Sequence, residues 1–118
     1  MESNLHMSLK RKWFEMTKSG VKTEDYREIT PYWIKRLVHN CSCLAYYKPG
    51  ELSIAIEECP LGGFKKFDYN IMTLGYPPKD DCDRILKLPH AGIEIRTGNP
   101  EWGAEPGKLY FVIKHGNT

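Results

Sequence analysis

Apolar and polar positions follow two different periods along this chain, and the change falls near residue 39. Leu5-His6-Met7-Ser8 alternates in steps of two and predicts a short strand. Leu9, Trp13 and Met16 then recur at helical spacing, with Gly20 one turn further on. They predict a helix that Ser8 caps and Gly20 ends. Val21 to Ile29 predicts a second strand. Thr30-Pro31 opens a second helix, the hydroxyl serving as cap and the proline sitting in the first turn. Its spacing turns Trp33, Ile34, Leu37 and Val38 inward.

From residue 39 onward the apolar runs are short and rich in strand-forming residues. They are Leu44–Tyr47, Glu51–Glu57, Phe67–Leu74, Arg84–Leu88, Gly92–Arg96 and Leu109–Lys114. Pro-Gly, Gly-Gly, Pro-Pro and Pro-Glu-Trp-Gly separate them. Short strands with two helices inserted early predict an α+β fold that is mainly β. The architecture expected is a small closed or partly closed β-barrel with two helices near the N-terminus. Residues 39–66 fit either a hairpin on that barrel or a surface insertion.

A chain of 118 residues suits one domain and can bury a core without disulfides or a structural metal. No run reaches the ~20 apolar residues of a membrane-spanning helix. Met1-Glu2-Ser3-Asn4-Leu5 lacks the basic-then-apolar layout of a secretory signal, so a cytoplasmic protein with no membrane partner is expected. Cys41, Cys43, Cys59 and Cys82 contain one Cys-Ser-Cys and no paired zinc-type spacing, with His39 and His90 nearby. They read as reduced thiols, and neither a metal nor a cofactor is expected.

The formal net charge of +2 carries little weight until it is located. Residues 1–38 hold eight Lys/Arg against five Asp/Glu, whereas residues 39–118 hold nine against ten. An anionic partner is therefore to be sought in the first third. Lys10, Arg11 and Lys12 fall where the first helix begins, against the helix dipole, and an anion there would relieve the conflict. A solvated basic face is the plain alternative. On a regular strand, Lys22, Glu24, Tyr26 and Glu28 share one face and Thr23, Asp25 and Arg27 the other. Asp25 beside Arg27 reads as a structural pair, or as groups that fix a base edge or polarise water. Lys22 reaches the same place only if the chain bends there. Trp13, Phe14, Tyr26, Tyr32, Trp33 and Trp102 are mostly core candidates. A few interleaved with Lys and Arg suit base stacking.

Gly20-x-Lys22-x-x-Asp25-x-Arg27 resembles the G-x-K-x-x-E-x-R signature of ASCH domains, a branch of the PUA-like superfamily. Leu9–Phe14, Tyr26–Ile29, Pro31–Leu37, Asn99–Gly107 and Tyr110–Lys114 resemble small bacterial and phage members in the same order. Phe67-Asp68 and Gly75-Tyr76 look like a family strand and turn, with Thr73-Leu74 where the family has Arg-Asn. The resemblance implies a PUA-like barrel with a cleft between the first helix and the signature strand. It also implies RNA or nucleotide binding there, with Lys10, Arg11, Lys12, Lys22 and Arg27 as contacts. Some small relatives are amidohydrolases that remove the acetyl group of acetylated cytidine, using a lysine and a threonine of the signature. Lys22 matches the lysine, but the threonine position is Asp25, so the nucleophile is missing. A hydrolase of nucleoside or RNA would have to use Lys22 and Asp25 as general acid–base groups. An interaction domain with an incidental basic cleft is the third reading.

Overall fold

The computed structural model describes residues 2–38, 51 and 63–116. The class is as expected: α+β and mainly strand, with two helices near the N-terminus. In chain order the elements are β1 (Asn4–Leu9), α1 (Arg11–Lys18), β2 (Glu24–Arg27), α2 (Pro31–Leu37), β3 (Tyr69–Leu74), β4 (Ile85–Thr97) and β5 (Leu109–His115). Short 3-10 turns at Cys82–Arg84 and Pro100–Trp102 precede β4 and follow it. Among the described residues the strands form one five-stranded sheet in the order β1-β3-β4-β5-β2, with β1 and β2 at the ends of that order. No helix among the described residues is long and apolar enough to cross a membrane.

The chain forms two compact units, each assembled from separated stretches. The first comprises Met1–Asp25, Lys66–Gly92 and Ile113–Thr118. In it β1 pairs parallel with β3, Leu5 against Asn70 and Met7 against Met72, and β3 pairs antiparallel with β4. Alternation along β1 buries Leu5, Met7 and Leu9. They join Phe14 of α1, Met72 and Ile113 in an apolar core. The buried face of α1 is Phe14 with Thr17, while Trp13 and Met16 are half-buried. The core-facing stripe is thus rotated by one position from the expected one. Thr17 can enter the core because its hydroxyl donates to the Trp13 carbonyl at 2.8 Å. The expected Ser8 cap is absent: Lys10 is the N-cap residue and contributes no capping hydrogen bond, while Ser8 Oγ donates to the Gly75 carbonyl.

The second unit comprises Tyr26–Lys65 and Ile93–Val112. Its core holds Ile34 and Leu37 of α2, Val38, Ile93, Ala104, Tyr110, Phe111 and Val112. Helix α2 starts as the sequence predicts, with Thr30 Oγ1 accepting from the Trp33 amide and Pro31 in the first turn. The Phe64 ring meets Phe111 edge-on at 6.1 Å. Val38 bridges Phe64, so the chain leaves α2 and returns to the same place around the segment read as an insertion. Within that segment the expected strand at Leu44–Tyr47 lies outside the described residues. Of Glu51–Glu57 only Glu51 is described, and it is helical, in keeping with the weak strand preference of glutamate.

Two runs expected as separate strands, 84–88 and 92–96, are one 13-residue strand, β4. Gly92, expected as the first residue of the second run, sits inside β4 at φ 113° and carries the strand through a backbone conformation that disfavours side chains.

Candidate functional site

Two arrangements of polar side chains gather the residues singled out in the sequence, one in each unit. In the first unit α1 ends at Lys18 with Ser19 as its C-cap, and Gly20 follows at φ 85°. The turn sends the chain back so that the Lys22 amide donates to the Met16 carbonyl at 3.0 Å. Strand β2 begins only at Glu24, so Lys22 escapes the alternation that placed it opposite Asp25. Lys22 is 2% exposed, and its Nζ donates to the Glu24 carbonyl at 2.7 Å and to Asp25 Oδ1.

Asp25 Oδ2 lies 2.7 Å from Nε2 of His115, which is carried by the last position of β5. His115 Nδ1 lies 2.8 Å from Nδ2 of Asn70 on β3, and Asn70 Oδ1 lies 2.7 Å from Nδ1 of His90 on β4. Asn70 Nδ2 also donates to the Lys114 carbonyl at 3.1 Å. That carbonyl can only accept, so it fixes the orientation of the Asn70 amide. The tautomers follow from it. His115 accepts at Nδ1 and donates from Nε2 to Asp25, and His90 donates from Nδ1 to Asn70.

Burial works to raise the pKa of Asp25. The hydrogen bond from His115 and the positive charge of Lys22 outweigh it, and the carboxyl is held below its usual value. Both Asp25 oxygens are thus engaged by cationic or N–H donors, and its basicity is reduced. His90, half-buried beside the Phe67 ring, has its pKa lowered chiefly by burial. An apolar core would be cheaper than a buried Lys–Asp pair, but a buried pair must stay paired once it is there.

The second arrangement is on α2. Tyr32 is 61% exposed, at the second position of the helix. Its ring meets Trp33 edge-on, centroids 5.3 Å apart at 88°, and Arg36 Nη1 donates to its hydroxyl at 2.9 Å. The guanidinium carbons of Arg27 and Arg36 lie 5.1 and 5.0 Å from the Trp33 ring centroid. Arg36 also lies 5.5 Å from the Tyr32 ring. The helical spacing of Tyr32 and Arg36, four residues apart, brings these two together. Helix α2 itself contains Lys35 and Arg36 and no acidic residue.

The structure places the expected site residues as follows. Lys10, Arg11 and Lys12 are exposed at the start of α1, whose first turn has no acidic residue. Arg11 lies 3.8 Å from Glu15, and Lys12 Nζ lies 4.8 Å from the Trp13 ring centroid. Lys22 and Asp25 are brought together, in the core rather than at a surface. Arg27 belongs to the other unit and sits on Trp33. Asn70, His90 and His115 were not expected. The one signal for Asn70 was its position as a lone amide inside the apolar run Phe67–Leu74. Cys82 is exposed, and Cys41, Cys43 and Cys59 lie outside the described residues. No family model, curated protein or solved structure matches this chain.

Proposed function

We propose that this chain is an ASCH-like module that binds RNA or a nucleotide, with α2 and the adjoining end of β2 as a principal contact surface. The observation that carries the reading is the cluster of Arg27, Trp33, Arg36 and Tyr32. Guanidinium groups ordered over aromatic rings, with one ring open to solvent, offer what nucleotides present: anionic phosphate and flat bases. Lys10, Arg11 and Lys12 supply a further exposed cationic group at the start of α1. The order of sequence segments resembling ASCH domains supports the same partner.

The hydrolytic alternative would use Lys22 to polarise a substrate and Asp25 as general base. Its support is that the two side chains meet. Against it, Lys22 is 2% exposed, and both Asp25 oxygens are held by Lys22 and His115. A general base needs a free oxygen within hydrogen-bond reach of the proton it takes. The Lys22–Asp25–His115–Asn70–His90 chain is therefore read as structural, and binding is the better-supported function.

The test is the salt dependence of affinity, measured by fluorescence anisotropy with a labelled RNA oligonucleotide. About three or four phosphate contacts give a log–log slope of about −2 to −3 on a single strand. Affinity that is absent, or unchanged between low and high salt, contradicts the reading.

A further inference from the structure

We infer that the α2 cluster takes an unpaired nucleobase, with Tyr32 as the stacking surface, so that the ligand is single-stranded nucleic acid rather than a duplex. This rests on the binding reading above and goes on to name the form of nucleic acid that the same site selects.

The two aromatic rings of the cluster are not equivalent. Trp33 is half-buried and has two guanidinium groups about it and the Tyr32 ring at right angles, so its surface is already occupied by protein. Tyr32 is 61% exposed, yet its hydroxyl is tied to Arg36 and its ring is set against Trp33. An open ring that is already held loses little conformational freedom when a flat partner lands on it. A base can land there only if its face is free, which is true of a single strand and not of a base within a duplex stack. Arg36, bonded to the Tyr32 hydroxyl, holds a cation beside the stacking surface that can pair with a phosphate of the same strand. A duplex could use the arginines alone.

The experiment compares one mixed-sequence 12-nucleotide RNA strand, fluorescently labelled, with the same strand annealed to its complement. The native chain and the variants Tyr32→Ala, Tyr32→Phe and Arg36→Ala are titrated at two salt concentrations. The native chain is expected to bind the single strand at least about tenfold tighter than the duplex. Tyr32→Ala should weaken single-strand binding by about tenfold with an unchanged salt slope, within the range of base–aromatic stacking. Tyr32→Phe should keep most of that affinity, and Arg36→Ala should flatten the slope by about 0.7. Because Tyr32 is exposed, its substitution leaves the core intact, and circular dichroism confirms folding. If the native chain binds but shows no strand preference, or Tyr32→Ala binds as tightly as native, the stacking inference is overturned and the binding reading stands. If the native chain binds neither form, both fall.

Discussion

The amide of Asn70 lies 2.8 Å from Nδ1 of His115 and decides which ring nitrogen of that histidine carries the proton. The amide is itself oriented by the Lys114 carbonyl, 3.1 Å away. One asparagine on β3 thereby sets the donors and acceptors of a buried chain from Lys22 to His90. Asn70 is fully buried, and its amide meets the Lys114 carbonyl, His115 and His90.

Replacing Asn70 by leucine keeps the volume but leaves the Lys114 carbonyl, His115 Nδ1 and the His90 Nδ1–H without this partner. The expected loss is about 2 kcal/mol or more, since a buried polar group that loses its partner costs about 1–3 kcal/mol and His90 is only half-buried. Urea unfolding followed by tryptophan fluorescence measures it as a fall in midpoint with an unchanged slope. A loss below about 1 kcal/mol contradicts the account of this network.

Acid should weaken the fold through the same chain. The Asp25 carboxyl is held below its usual range, so the unfolded state takes up its proton first as pH falls. The stability it contributes is complete above about pH 4, the ordinary carboxylate value, and is lost below it. His90 has its pKa lowered as well, so its share is complete above about pH 6.5 and lost below that. Asp25→Asn should remove the part of the acid limb that falls below about pH 4 and leave the part that begins near pH 6.5 with His90. It should cost about 3–5 kcal/mol at neutral pH, because Lys22 is left buried without its carboxylate. Adding Lys22→Met should restore part of that loss. A loss below about pH 4 that persists unchanged in Asp25→Asn assigns that part of the limb to other carboxylates.

Gly98 tests the packing of the second unit. A Cβ there would lie 2.7 Å from Ala104 Cβ and from Tyr26 Cε1. The Tyr26 hydroxyl accepts from the Asn99 amide at 2.8 Å, so the ring cannot swing away without breaking that bond. Gly98→Ala should destabilise by about 1–3 kcal/mol, the range of overpacking. Gly107→Ala serves as the comparison: nothing lies within 4 Å of its added methyl, and only its φ of 78° resists the change. Thermal unfolding of the two variants should rank Gly98→Ala as the less stable, and the reverse order contradicts the packing described.

Local signals in the sequence were legible where one element carried all of the physics. Thr30-Pro31 announced α2 because capping and a first-turn proline act within four residues. The stripe on α1 was displaced by one position because Thr17 satisfies its own hydroxyl and can be buried, which hydrophobic periodicity does not register. Lys22 and Asp25 met because Gly20 turns the chain before the strand begins, so alternation did not apply to Lys22. Asn70, His90 and His115 are joined across 20 to 45 residues of chain, a relationship that no spacing rule reaches. Strand alternation puts Arg27 on the face of Asp25, and it has no bearing on the ring contact of Arg27 with Trp33, which comes from the following helix.

The central claim is that the functional surface is on α2 and that the buried chain from Lys22 to His90 supports the fold. The most direct test is a proton–nitrogen correlation spectrum of the labelled protein, recorded while a short single-stranded RNA is added at low salt. The account predicts that the Trp33 indole and the Arg27 and Arg36 Nε–H signals move with increasing RNA. The Asn70 side-chain amide should stay where it is. Movement of the Asn70 signal with a stationary Trp33 indole would contradict the account and return the search to Lys22 and Asp25.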